Sequence, residues 1–235
     1  MVDKYVSLMQ PHFFPAFSYF EFISRSNKFV FLTEVQLSRQ SFQTRNRILV
    51  SNEVKWINSS VTRRSSSKLI CDAKFSNLFW KASIIKTLKL NYSRSQYKND
   101  LKEIIYFLEK WNSVNLCEFN ISLIKFVINR LHINTELMLD SDIELPSDRT
   151  LRIIELMKMN SGYNYLYSPG SKEYMFQDNI FNEGFKCAEF KYKNLFYETE
   201  SMRLSFIEAL STFGWVGLKI MLGNQSDIKI TSIRS

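Results

Sequence analysis

The stretch "KYVSLMQPHFFPAFSYFEFISRSNKFVFLTEV", Lys4 to Val35, decides the fold. "YVSLM" (5–9) and "KFVFLTEV" (28–35) are short apolar runs rich in Val, Phe and Leu, the pattern of buried strands. Between them Phe17, Phe20 and Ile23, with Phe22 beside them, recur at helical spacing, and Pro15 fits the first turn of that helix. Strand, turn, helix, strand is a βαβ unit, so the two strands are expected to lie parallel and adjacent. Ligands of open α/β sheets sit beyond the carboxyl ends of the strands. Two segments fall there, "QPHFFP" (10–15) and "QLSRQSFQTRNR" (36–47).

Outward from this unit, 53–75 reads as β or irregular structure, with "TRRSSSK" (62–68) as an exposed loop. Residues 78–132 read as mainly helical; in "LIKFVINRL", Leu123, Phe126, Val127 and Leu131 share one face. A strand is expected over 134–139, then a helix from an N-cap at Ser147 to Gly162. "YNYLYSPGSKEYM" (163–175) follows as strand, Pro-Gly turn and short helix. "FKCAEFKY" (185–192) is another strand, and 202–214 an amphipathic helix ending at glycine. The economical architecture is one α/β domain over 1–235, with a parallel-stranded core and a helical middle insert.

Composition narrows the partners. The 235 residues are 45% hydrophobic and carry a formal charge of +8, so they suffice for a full-sized core. Between Gln36 and Lys68, Arg39, Arg45, Arg47, Lys55, Arg63, Arg64 and Lys68 face a single Glu53. Such a field favours phosphate-bearing ligands or an acidic protein surface; a solvated basic face is the plain alternative. No consecutive apolar run reaches the roughly 18 residues of a membrane helix, and Gln10, Pro11 and His12 interrupt the N-terminal apolar stretch, which leaves no signal-peptide core. Cys71, Cys117 and Cys187 are widely spaced, which argues against a disulfide framework or a zinc site. A cytosolic location is the simplest fit.

No P-loop, GxGxxG, GxSxG or HExxH pattern occurs. Two readings stand for His12: a proton-transfer group at a strand end, or a polar residue packed among Phe13, Phe14 and Phe17. Arg39, Arg45 and Arg47, crowded with Gln36, Gln40, Gln43 and Asn46, suit bidentate phosphate contact and orientation of a sugar or acyl group. A surface loop with arginine salt bridges is the competing reading. The Pro-Gly turn could present backbone N–H groups to an anion, with Ser168, Ser171 and Tyr174 adding hydroxyls.

These residues resemble the opening of the WbqC-like family: a Gln-Pro-x-Phe-x-Pro turn, an aromatic helix, a strand ending near Asp-Val-Gln, and an Arg-Asn-Arg-Ile segment. The matching positions are Gln10, Pro11, Phe14, Pro15, Tyr19, Phe20, Val35, Gln36 and Arg45 to Ile48. Trp56, Thr150, Arg152, Gly162, Tyr165, Ser168, Gly170 and Tyr174 extend the likeness more sparsely. Glu34 stands where the family has Asp, and "LSFIEALSTFG" lacks the family's Phe-Asn-x-Gly ending. The resemblance implies a role in bacterial surface-polysaccharide, notably O-antigen, synthesis. It further implies N-acyl or aminoacyl transfer to a nucleotide-linked amino sugar from a coenzyme A or acyl-carrier-protein thioester, with no tightly bound cofactor or metal. On that reading His12 is the base and Glu34 its orienting partner or substitute, since neighbouring parallel strands lie roughly 4.8 Å apart. Arg39, Arg45 and Arg47 hold phosphate; Gln10, Gln36, Asn46, Ser168 and Tyr174 complete the substrate contacts. An ATP-dependent amide ligase and a basic module binding a carrier protein or nucleic acid are the alternatives. For nucleic acid the aromatics sit at core spacings and no recognised motif appears, so none is expected.

Overall fold

In the computed structural model of the protein, residues 3–38, 40–62, 69–171, 185–191, 204–223 and 231–232 are described. Strands β1 (Tyr5–Met9) and β2 (Lys28–Phe31) pair in parallel on either side of helix α1 (Phe17–Ser24), as the apolar spacing predicts. β5 (Glu136–Leu139) joins β2 in parallel. On the other side of β1 come β6 (Asn164–Tyr167) and β7 (Cys187–Glu189), both parallel, and β8 (Thr231–Ser232), antiparallel to β7. The sheet order is β5-β2-β1-β6-β7-β8. A separate antiparallel hairpin pairs β3 (Arg45–Val50) with β4 (Glu53–Asn58).

Both faces of the sheet are covered, which is why its strands read as apolar runs. Helix α5 (Arg149–Met159) packs Ile153, Leu156 and Met157 over Val6, Val30, Tyr165 and Tyr167 on one face. On the opposite face α1 and the helical middle region bury Phe29, Phe31, Leu166 and Ala188. That region comprises α2 (Phe79–Asn91), α3 (Lys98–Lys110) and α4 (Leu116–Leu131). α4 begins where the Asn115 side chain accepts from Glu118 N–H at 3.0 Å, and ends at His132 in the left-handed conformation. Much of the high aromatic content lies here: Phe13, Phe75, Trp80 and Phe119 form edge-on and tilted pairs with centroids 4.6–5.8 Å apart.

Several elements differ from the sequence reading. β2 stops at Phe31 rather than Val35, because the Asp140 carboxylate takes over the next donors. It accepts from Thr33 N–H at 2.9 Å, Thr33 Oγ1 at 2.6 Å and Glu34 N–H at 2.9 Å. Residues 45–50 form a strand, not an edge loop; Ser51 and Asn52, both at positive φ, close the two-residue turn into β4. Asp148, not Ser147, caps α5, accepting from Leu151 N–H at 2.9 Å. The loop at 63–68 and the short helix after 171 lie outside the described residues.

The last helix among the described residues, α6 (Phe206–Gly223), does not end at Gly214 but breaks there and resumes. Gly214 sits at φ 61°, ψ 176°, and the Asp100 carboxylate accepts the Trp215 N–H at 2.8 Å, capping the second segment. By length and composition alone α6 is apolar enough to cross a membrane, and half of it is buried within the protein. The count of consecutive apolar residues misses it because Glu208, Ser211, Thr212 and Lys219 interrupt the run.

A methyl group at 214 would sit 2.8 Å from Asp100 Oδ2 and against the Tyr97 ring, in a backbone region that only glycine adopts without strain. Gly214→Ala is therefore expected to destabilise the fold by about 3 kcal/mol, combining backbone strain with overpacking. Urea unfolding measures this; a midpoint equal to wild type would show that the break relaxes freely.

Candidate functional site

From β1 the chain builds outward through β2 to β5, then crosses back to the other side of β1 as β6. The order therefore reverses between β1 and β6, and the crevice beyond their carboxyl ends is the expected ligand position. β1 runs into Gln10-Pro11-His12, and β6 into Ser168-Pro169-Gly170-Ser171. The β2 end, with Thr33 and Glu34, lies next along the edge.

The turn after β1 is held from several directions. Tyr19 Oη donates to the Gln10 carbonyl at 3.0 Å, and Asn120 Nδ2 to those of Pro11 (3.1 Å) and Gln43 (2.9 Å). Asn46 Nδ2 donates to the Phe14 carbonyl at 2.6 Å, and Phe206 N–H to that of Pro15 at 2.7 Å. Phe13 N–H donates to Phe42 O at 2.7 Å. Phe14 takes φ 45°, an uncommon conformation for a bulky residue, and its ring lies between Phe13, Phe119 and Phe206. The turn is thus fixed by packing around it, not by its own backbone.

That scaffold sets His12. Its half-buried imidazole lies against the rings of Tyr19 (centroids 5.0 Å) and Phe42 (5.7 Å), and no described residue hydrogen-bonds it. Burial alone pushes its pKa down to about 4, so the ring is neutral at neutral pH. Glu34 is exposed, and its carboxylate acts electrostatically on Arg152 and Cys71. Arg152, its pKa lowered by burial, donates through Nε to Pro146 O at 2.9 Å and through Nη2 to Ser147 O at 2.6 Å. His12 and Glu34 therefore stand on neighbouring strand ends with different surroundings, aromatic for one and ionic for the other.

The arginine-rich segment meets the turn through Asn46. Asn46 is buried, and its Oδ1 also accepts from Arg47 N–H at 2.8 Å, so both ends of the amide serve the scaffold. Arg45 and Arg47 flank the half-exposed Trp56 ring, their guanidinium carbons 4.1 and 5.5 Å from its centroid. The Nε of each is buried with no hydrogen-bond partner among the described residues. Gln36 is exposed and bridges to Leu69. At the β6 turn Ser168 Oγ and Ser171 Oγ lie 3.1 Å apart, and Ser171 N–H donates to Ser168 O at 2.9 Å. Arg39 and Tyr174 lie outside the described residues.

Three residues at this edge escape the sequence reading: Asp140, Asn120 and the Tyr19 hydroxyl. Asn120 carried a signal, since it is a polar residue on the buried face of α4 between Phe119 and Leu123. Among the described residues no group of three or more His, Cys, Asp or Glu is placed to hold a metal ion.

A family model described as the WbqC-like protein family matches residues 10–215. The uncharacterized protein Rv1507c of Mycobacterium tuberculosis is 24% identical over 183 residues, covering 77% of this chain and 78% of that protein. No solved structure matches.

The depressed His12 pKa carries a stability consequence. Below the ordinary value of 6.5 the unfolded chain takes up a proton that the folded ring refuses until about pH 4, so stability falls across that window as pH is lowered. The loss from this group is at most about 3 kcal/mol, less what solvent at the half-buried ring screens. Denaturant unfolding from neutral pH down to that limit is expected to show a shallower decline for His12→Phe than for wild type. Parallel declines would remove His12 as a source.

Proposed function

The chain belongs to the WbqC-like protein family, and we propose that it transfers an acyl or aminoacyl group from a thioester to the amine of a nucleotide-linked amino sugar in bacterial surface-polysaccharide synthesis. The observation that carries this reading is a half-buried imidazole at the topological switch point of a parallel sheet, where Gln10 and Ser168 follow the two flanking strands.

In this reaction the sugar nitrogen attacks the thioester carbonyl, the C–N bond forms, the C–S bond breaks and the thiol leaves. The nitrogen must lose a proton, and His12, already deprotonated at neutral pH, accepts it. Burial disfavours an imidazolium here, whereas a diphosphate bound nearby would stabilise it and raise its basicity. Arg45 and Arg47, with Arg39, supply the phosphate contacts, for which the planar guanidinium fork is suited. Gln10, Gln36, Ser168 and Tyr174 orient sugar and acyl groups. Asn46 acts as a positioning residue, holding Phe14 and thereby the turn. Glu34 is the second candidate base. The +8 charge suits both a coenzyme A thioester and an acidic carrier protein as donor.

Purified protein incubated with nucleotide-linked amino sugars and acyl thioesters is expected to give an acylated sugar nucleotide by mass spectrometry. His12→Ala should lower turnover by about 10²–10⁴-fold with folding intact. A fully active His12→Ala protein would end the role of His12. Product formed only from free acid and ATP would replace transfer by ligation.

A further inference from the structure

A second cleft lies away from the sheet edge, where the β3–β4 turn meets the end of α2. Its volume is about 720 Å³, and Val50, Ser51, Thr87, Asn91, Arg94 and Glu208 are among its lining residues. The floor is rigidly built. Asn91 Nδ2 donates to Leu49 O at 2.5 Å and its Oδ1 accepts from Ser51 N–H at 3.3 Å, clipping the hairpin to α2. Glu208 Oε1 accepts from Leu49 N–H at 2.7 Å and from the Tyr92 hydroxyl.

Glu208 is 8% exposed, yet no cation among the described residues pairs with it, and its second carboxylate oxygen carries no hydrogen bond. A buried carboxylate without a counter-charge is costly, and burial raises its pKa accordingly. Glu208 lines the cleft, and its open oxygen offers a charge-assisted acceptor in a partly desolvated setting, where attraction to a cation is stronger than in bulk water. The walls around it are mixed. Ser51, Asn52 and Thr87 bring hydroxyl and amide groups, while Val50 and Leu90 offer an apolar surface for C–H faces. Arg94, exposed at the rim, disfavours any ligand with more than one positive charge.

We propose that this cleft binds a small hydroxyl-bearing primary ammonium compound, with its nitrogen seated on the open carboxylate oxygen of Glu208. The inference does not rest on the reaction assigned to the sheet edge, since it concerns a different set of residues.

The test is titration of the full chain with glucosamine and with glucose, which differ at the amine, followed by ligand-observed NMR. Glucosamine is expected to bind about tenfold or more tightly than glucose, the order of one hydrogen bond to a charged group. Glu208→Gln keeps an oxygen for Leu49 and Tyr92 but removes the charge, and should abolish the preference. No glucosamine binding, equal binding of the two sugars, or a preference that survives Glu208→Gln would overturn the proposal. Should Glu208→Gln fail to fold by circular dichroism, Ser93→Trp, which fills the exposed rim, decides in its place. Loss of glucosamine binding supports the site, and retention overturns it.

Discussion

Between Gln10 and Pro15 the backbone leaves a strand and enters a helix with two prolines in six residues, so it has few donors and no regular partner of its own. The carbonyls of Gln10, Pro11, Phe14 and Pro15 are instead met by Tyr19, Asn120, Asn46 and the Phe206 amide. A buried carbonyl left without a donor costs about 1–3 kcal/mol, comparable in sum to the whole stability of a domain. α1, α4, the β3 strand and α6 therefore converge on this turn. Phe13 and Phe14 fill the space among them, and their rings tie the turn to the aromatic cluster of the helical middle region.

The βαβ start and the parallel pairing of its two strands were legible because apolar runs bounded by Pro and polar residues leave little choice of element. The hairpin at 45–58 was not. Its turn carries Ser51 and Asn52 at positive φ without a glycine, so nothing in the sequence announced a two-residue reversal. That the segment after β1 leaves the carboxyl end of a parallel strand was legible from the βαβ pattern; that Ser168 follows the strand on the other side of β1 was not. Individual roles were not, because they depend on neighbours distant in sequence. Asn46 reads as a ligand-orienting amide and proves to be bound at both ends. Asp140 carries no mark in the sequence, yet it ends β2 from more than 100 positions away.

Two buried carboxylates illustrate how surroundings sort structural groups from candidate ligands. Asp140 accepts from Thr33 and Glu34 through both oxygens, a full complement of donors at the close of a strand. Glu208 has donors on one oxygen only, and the residue lines a cleft. In a chain with +8 formal charge, a buried acid left without a cation is the more conspicuous. The same contrast separates the arginines: Arg152 is spent on two carbonyls, whereas Arg45 and Arg47 lie over the Trp56 ring.

The bond from Phe206 N–H to the Pro15 carbonyl, with the bridge between Ala16 and Ser205, spans some 190 positions of chain. Loop-closure entropy makes contacts of such separation late and slow to form. A chain emerging from the ribosome can lay down β1, α1 and β2 early, but the Pro15 carbonyl has its partner only once Phe206 has been made. In order of synthesis the entry of the chain into α1 is thus anchored later than the carbonyls of Gln10, Pro11 and Phe14, whose partners lie at positions 19, 120 and 46.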